Sequence, residues 1–146
     1  MDKVFTKTMV ARWQDCDPAG IIYYPKYFEL MSALIEDWFD EALGIAYADL
    51  RAVRHLGLPT VRVACDFAKP CKHGDKIALS LCVKHLGRCS FTLTFRAQVD
   101  GAQCLRCEQT LVMISQPGFR AVDIPDDLRA LMESYVASDS PRNEVS

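Results

Sequence analysis

Within residues 25–43 the polar side chains are Lys26, Glu29, Ser32, Glu36, Asp37, Asp40 and Glu41, set mostly at steps of three and four. That spacing predicts a helix. Tyr27, Phe28, Leu30, Met31, Ala33, Leu34, Ile35, Trp38, Phe39, Ala42 and Leu43 fill the rest, an apolar arc too wide for a helix that lays one stripe on a surface. Pro25 suits the first turn and Gly44 the stop, which gives a rod of roughly 28 Å at 1.5 Å per residue. Residues 4–13 alternate loosely and predict a strand before it. A mixed connection with a short helix over 47–55 follows. Runs at 60–67, 76–86, 90–99 and 104–114 then read as strands, separated by turn signals at His73-Gly74-Asp75, Gly87 and Asp100-Gly101. A second helical pattern covers 125–136, with Asp126 and Asp127 favourably placed in its first turn.

One long apolar helix followed by four or more strands implies an α+β fold in which an antiparallel sheet wraps the helix. A single sheet cannot cover a helix that is apolar nearly all round, so a second copy of the chain is expected to help bury it. The 146 residues suit one domain over 1–137 with a polar, fraying tail over 138–146.

Composition narrows the setting. A formal charge of -2 gives no global attraction to nucleic acid or to an anionic membrane surface. No apolar run reaches the ~18 residues of a membrane span and the start lacks a signal-peptide pattern, so a cytoplasmic location is expected. Seven cysteines, an odd set scattered through apolar segments, read as reduced thiols. The lone Cys104-Leu-Arg-Cys107 reads as filler, because an odd offset along a strand points two thiols to opposite faces.

The chemistry-bearing motifs of many enzyme classes are missing. There is no G-x-S-x-G elbow, phosphate-binding loop, dinucleotide fingerprint or H-E-x-x-H pair, and His55, His73 and His85 lack metal-ligand spacing. What remains is Asp15-Cys-Asp17-Pro-Ala-Gly20-Ile-Ile-Tyr-Tyr24-Pro25. Gly20 permits a tight turn that carries a carboxylate toward the helix entrance, where the first helical amides and the Tyr24 N–H could meet an anion or an oxyanion. Asp17 there could be a nucleophile or general base. It could equally cap the helix or bond loop amides, and local spacing leaves the two readings level.

The stretch from Asp15 to Tyr27 closely resembles the active-site segment of hotdog-fold acyl-CoA thioesterases of the 4-hydroxybenzoyl-CoA type, with its D-x-D-[PA]-x-G-x-[VI]-x-[YFW]-x-x-Y pattern. Weaker likeness runs through 57–61, 70–75 and 84–91. The resemblance implies a hotdog fold, paired into a homodimer with active sites at the interface and often into a dimer-of-dimers tetramer. It implies Asp17 as the catalytic carboxylate and the Tyr24 N–H as the group that polarises the thioester carbonyl, with Gly20 shaping the loop and Asp15 holding it. Thr60 of the facing subunit matches a position near the acyl group. The coenzyme A phosphates match the segment with Arg88 and Ser90, backed by Lys84 and Gly87, although this turn is less basic than the hydroxybenzoyl enzyme's. Coenzyme A enters as part of the substrate, with no separate cofactor and no metal. Tyr23, Tyr24, Tyr27 and Phe28 suit an aryl acyl group. The alternatives are a short-chain aliphatic acyl-CoA, an enoyl-thioester hydratase, whose usual helix-entrance histidine is missing here, and a non-catalytic acyl-CoA-binding module.

Overall fold

The computed structural model describes residues 2–138, so the expected fraying of the tail falls outside the described residues beyond Ser138. In chain order the elements are β1 (Phe5–Val10), a 3-10 turn (Trp13–Asp15), α1 (Lys26–Asp37) and its π-helical continuation (Trp38–Leu43). Then come α2 (Tyr47–Ala52), β2 (Leu56–Gly57), β3 (Thr60–Phe67), β4 (Lys76–Leu86), β5 (Ser90–Val99), β6 (Ala102–Val112), β7 (Ile114–Ser115) and α3 (Asp126–Glu133). Five strands form one sheet in the order β1-β4-β5-β6-β3, antiparallel throughout, and β2 pairs with β7.

Helix α1 lies across one face of that sheet. Alternation puts Ile77, Leu79, Leu81 and Val83 of β4 on the same face as Phe91, Leu93, Phe95 and Ala97 of β5 and Leu105, Cys107 and Leu111 of β6. These join Tyr27, Met31, Leu34, Ile35, Trp38 and Phe39 in one core. Each large apolar side chain so buried contributes about 1.5–3 kcal/mol. The outer face is polar: Thr92 and Thr110 share a 2.8 Å hydrogen bond, and Glu108 holds both Lys84 at 2.8 Å and Arg106 at 3.1 Å. No helix of the described residues is long and apolar enough to cross a membrane.

Three departures from the sequence reading have local causes. The first strand stops at Val10 because the Asp15 carboxylate accepts the Arg12 N–H at 3.2 Å and turns the chain into the 3-10 segment. The last long strand stops at Val112, after which Ile114 pairs with Gly57 of β2. Cys65 and Cys107, expected as reduced thiols, face each other across β3 and β6 with Cα atoms 4.1 Å apart and are joined as a disulfide. Directly opposed positions on antiparallel strands bring two Cβ atoms within reach, and spacing along the chain does not reveal that register. The two cysteines of C-x-x-C do not bond each other.

The sheet covers less of the helix than its apolar arc demands: Phe28, Ala33 and Ala42 stay exposed. Strand β3, at the sheet edge, is exposed along its whole length except at Cys65.

Candidate active site

The loop after the 3-10 turn is held as a small β-structure. Cys16 bridges Ile22 and Ile21 bridges Lys72. The Asp17 N–H donates to Ile21 O and the Tyr23 N–H to Asp15 O, both at 2.9 Å. Gly20, at φ +82°, makes the reversal, a conformation that a residue with a Cβ adopts only at a cost. The loop is pinned to the segment after β3 through Ile22 N–H to Cys71 O and His73 N–H to Gly20 O, each 2.9 Å. Beneath it the Tyr27 phenol and the Cys71 thiol are in contact. Burial pushes the phenol well above its ordinary range and the thiol up to about 11, so both stay protonated as a neutral floor.

Asp15 and Asp17 separate in this geometry. Asp15 braces the 3-10 turn through Arg12. Asp17 is half-buried, and its Oδ1 accepts the Ala19 N–H at 2.9 Å. Its Oδ2 has no hydrogen-bond partner among the described residues. Asp17 is not a helix cap, because α1 begins nine residues later behind Pro25 and has no side-chain cap.

The helix entrance also differs in detail from the expectation of several free amides. The N–H groups of Lys26, Tyr27 and Phe28 already donate to the carbonyls of Tyr23, Tyr24 and Pro25 at 2.8–3.2 Å. Pro25 has no N–H. The Tyr24 N–H is the one donor at this entrance without a partner among the described residues, and Tyr24 is exposed.

Tyr24 and Tyr27 face Phe67 from the end of β3, with ring centroids 6.3 and 5.9 Å apart. Tyr23 meets Tyr24 edge-on at 5.6 Å. These rings form an aromatic wall beside the loop. Phe67 is missing from the residues singled out by sequence, although the alternation Val61, Val63, Cys65, Phe67 along β3 carried the signal.

The other site residues expected from the sequence gather elsewhere. Thr60 opens β3, opposite Leu111 of β6, which pairs with Phe91 beside Ser90. The Thr60 Oγ1 accepts a 2.7 Å hydrogen bond from Gln109 Nε2. Gly87 closes the β4–β5 turn, its N–H donating to Ser90 O at 2.8 Å. Arg88 is 81% exposed and stands 3.6 Å from Asp123, at the rim of a cavity of about 370 Å³ that Arg129 and Asp126 also line. Arg129, which no motif announces, fixes this turn by donating to Gly87 O at 2.5 Å and Arg88 O at 3.2 Å. Lys84 faces away from Thr60, onto the outer face, where its ammonium binds Glu108.

The register sets these groups apart. Asp17 sits over the end of the sheet where β1 finishes and β4 starts, since Ala11 N–H donates to Asp75 O and Val10 pairs with Lys76. Thr60, Gly87, Arg88 and Ser90 lie at the opposite end. The ten steps of β4 between the two ends span roughly 33 Å. One chain therefore holds the carboxylate and the free amide at one end and the hydroxyl and cations at the other.

A helix laid along one face of a five-stranded antiparallel sheet is the hotdog arrangement, and ahead of this helix one loop holds a carboxylate oxygen and an amide without partners among the described residues. Residues 11–132 match the thioesterase-like superfamily, and the chain belongs to that family. It is 25% identical over 130 residues to the 1,4-dihydroxy-2-naphthoyl-CoA hydrolase of Nostoc punctiforme, covering 89% of this chain and 87% of that one. The crystal structure of a thioesterase superfamily protein from Jannaschia sp. CCS1 superimposes with a TM-score of 0.86 at 28% identity, covering 94% and 96% of the two chains. That of 4-hydroxybenzoyl CoA thioesterase from Pseudomonas sp. strain CBS-3 gives 0.81 at 25% identity, covering 88% and 98%.

Proposed function

We propose that this chain hydrolyses an aryl-CoA thioester to the free acid and coenzyme A, in a site shared between two copies. The observation that carries the reading is the pairing, in one loop, of Asp17 with an open Oδ2 and Tyr24 with an open N–H. The Tyr24 N–H receives the carbonyl oxygen as it gains charge, and Asp17 attacks the carbonyl carbon or takes a proton from the attacking water. In the first route the thiolate of coenzyme A leaves an acyl-aspartyl anhydride that water then opens. In the second the water oxygen enters the acid directly.

The exposed β3 edge supports the shared site. Pairing two β3 strands antiparallel about a two-fold axis sets Thr60 of the partner subunit beside Phe67 and the Asp17 loop. It also puts Ser90 of the partner subunit, preceded by Arg88 of the partner subunit, about two strand spacings beyond that threonine, ~10 Å. Exposed Val61, Val63 and Phe67 are then covered. The aromatic wall favours a flat acyl group, and the relatives from Nostoc and Pseudomonas both carry names of hydroxylated aryl-CoA hydrolases.

The test is thiol release from benzoyl-, hydroxybenzoyl-, naphthoyl-, acetyl- and palmitoyl-CoA. The expected result is turnover highest on the aryl thioesters and a fall of about a thousandfold or more in Asp17→Asn. Equal rates for the two proteins on every substrate remove Asp17 from the chemistry. Preference for palmitoyl-CoA overturns the aryl assignment.

A further inference from the structure

Gln109 is out of keeping with its surroundings. Along β6 the helix-facing positions are Leu105, Cys107, Gln109 and Leu111, and Gln109 pairs with Leu93 on one side and Val63 on the other. Aromatic and cysteine side chains aside, only two polar side chains among the described residues are buried, Thr94 and Gln109. Thr94 belongs to the polar outer face, where it stands opposite Glu108. Gln109, 6% exposed, is thus the one buried side-chain amide on the apolar face among the described residues, where an amide is costly unless its hydrogen bonds are made. Its partner is not another core residue. The Nε2 reaches 2.7 Å to the hydroxyl of Thr60, an exposed residue on the open edge strand.

The direction of that bond has a chemical consequence. An amide N–H that donates to Oγ1 uses a lone pair of the hydroxyl and leaves the hydroxyl proton to be donated elsewhere. Thr60 is exposed at the sheet end that the two-fold pairing brings to the Asp17 loop of the partner subunit. We propose that Gln109 is a positioning residue: it orients the Thr60 hydroxyl so that its proton is donated to the carbonyl oxygen of the thioester bound at Asp17 of the partner subunit, a second donor beside the partner's Tyr24 N–H. The inference rests on the thioesterase reading and on its two-fold pairing. It adds a buried residue, distant in sequence from the active-site loop, whose effect reaches the reaction only through Thr60.

Five variants test it: Thr60→Val, Thr60→Ser, Gln109→Met, Gln109→Glu and the Thr60→Val/Gln109→Met double variant. Each is assayed for kcat and KM on the best aryl-CoA, with Tm measured in parallel. Thr60→Val is expected to lower kcat by about 100-fold, the lower end of the range for one oxyanion donor, with little change in KM, while Thr60→Ser keeps most of the rate. Gln109→Met keeps the volume but frees the hydroxyl to rotate, and is expected to lower kcat by about tenfold. The double variant should be no worse than Thr60→Val alone, because Gln109 has nothing left to orient. Gln109→Glu keeps the shape but offers an acceptor, turning the Thr60 proton inward, and should lose at least as much kcat as Gln109→Met. If Gln109→Met does not fold, Gln109→Glu and the Thr60 pair carry the test.

Wild-type kcat in Gln109→Glu or in Thr60→Val overturns the proposal, as do losses that multiply in the double variant or that track Tm alone. No thiol release by the wild-type protein from any acyl-CoA overturns the thioesterase reading and this role with it. Turnover with independent effects at the two positions overturns only the role of Gln109.

Discussion

The two edges of the sheet are built from similar material and end differently. Strand β1 alternates half-buried and exposed positions, and its inward Lys7 is tied to Asp37 at 3.1 Å and Glu41 at 2.9 Å on the helix. Beyond β1, Val136 takes up pairing with Val83, so β4 stays covered along that side. Strand β3 has no such cover. Its apolar Val61, Val63 and Phe67 are 61%, 42% and 51% exposed, on a strand whose outward backbone groups have no strand beside them among the described residues. An apolar, unguarded edge invites another strand, whereas an edge tied back by charges does not. The difference separates a side of the sheet closed by the chain itself from a side left open, the one that the proposed two-fold pairing uses.

The comparison breaks most visibly at Val63. Val63→Asp puts a charge on the edge read as an interface and is expected to convert the assembly to monomers and to abolish turnover with it. Thr8→Asp, an exposed position on β1, should leave the assembly unchanged. Light scattering during size-exclusion chromatography checks both, and a Val63→Asp protein of unchanged mass and activity removes β3 from the interface. At the far end of the sheet, Arg88→Ala is expected to raise KM for acyl-CoA about tenfold, with a salt-sensitive effect and little change in kcat. Lys84→Ala should leave KM alone and cost about 1–2 kcal/mol of stability through its lost bond to Glu108, read by urea denaturation.

The smallest effect concerns pH. Burial by itself would raise the Glu108 carboxyl, but the hydrogen bond from Lys84 and the charges of Lys84 and Arg106 outweigh it and hold the group below its ordinary range. A carboxyl depressed in the folded state contributes stability above its unfolded pKa, and that contribution is lost as pH falls through the folded value. The Tm of the wild-type protein should therefore drop between about pH 5 and pH 3 more steeply than that of Glu108→Gln. Parallel curves for the two would deny the ion pair a role in acid stability.

Much of the site was legible one residue at a time. The helix, the succession of strands along the chain and the separate places of Asp15 and Asp17 follow from period, turn chemistry and a long motif, all local in the chain, whereas the order in which the strands pair, with β3 beside β6 and not beside β4, does not. Phe67, Gln109 and Arg129 were not singled out. Each acts through a residue far away in sequence: Phe67 against Tyr24, Gln109 on Thr60, Arg129 on the Gly87 carbonyl. Gln109 did leave a trace, as the one polar interruption in a period-two apolar face. The disulfide left none, since seven scattered cysteines do not say which two stand opposite each other.

The sequence by itself determined the α+β order, the buried helix and the loop that presents Asp17, because hydrophobic period, Gly20 and Pro25 act over a few residues. Only the tertiary structure decided that, among the described residues, the Tyr24 N–H alone is left unpaired at the helix entrance, that Lys84 faces the outer side and that Thr60 and Arg88 lie at the opposite end of the sheet from Asp17. Those outcomes depend on strand register and on which edge is left open. Both are settled by long-range pairing, where a one-residue shift turns every side chain to the other face.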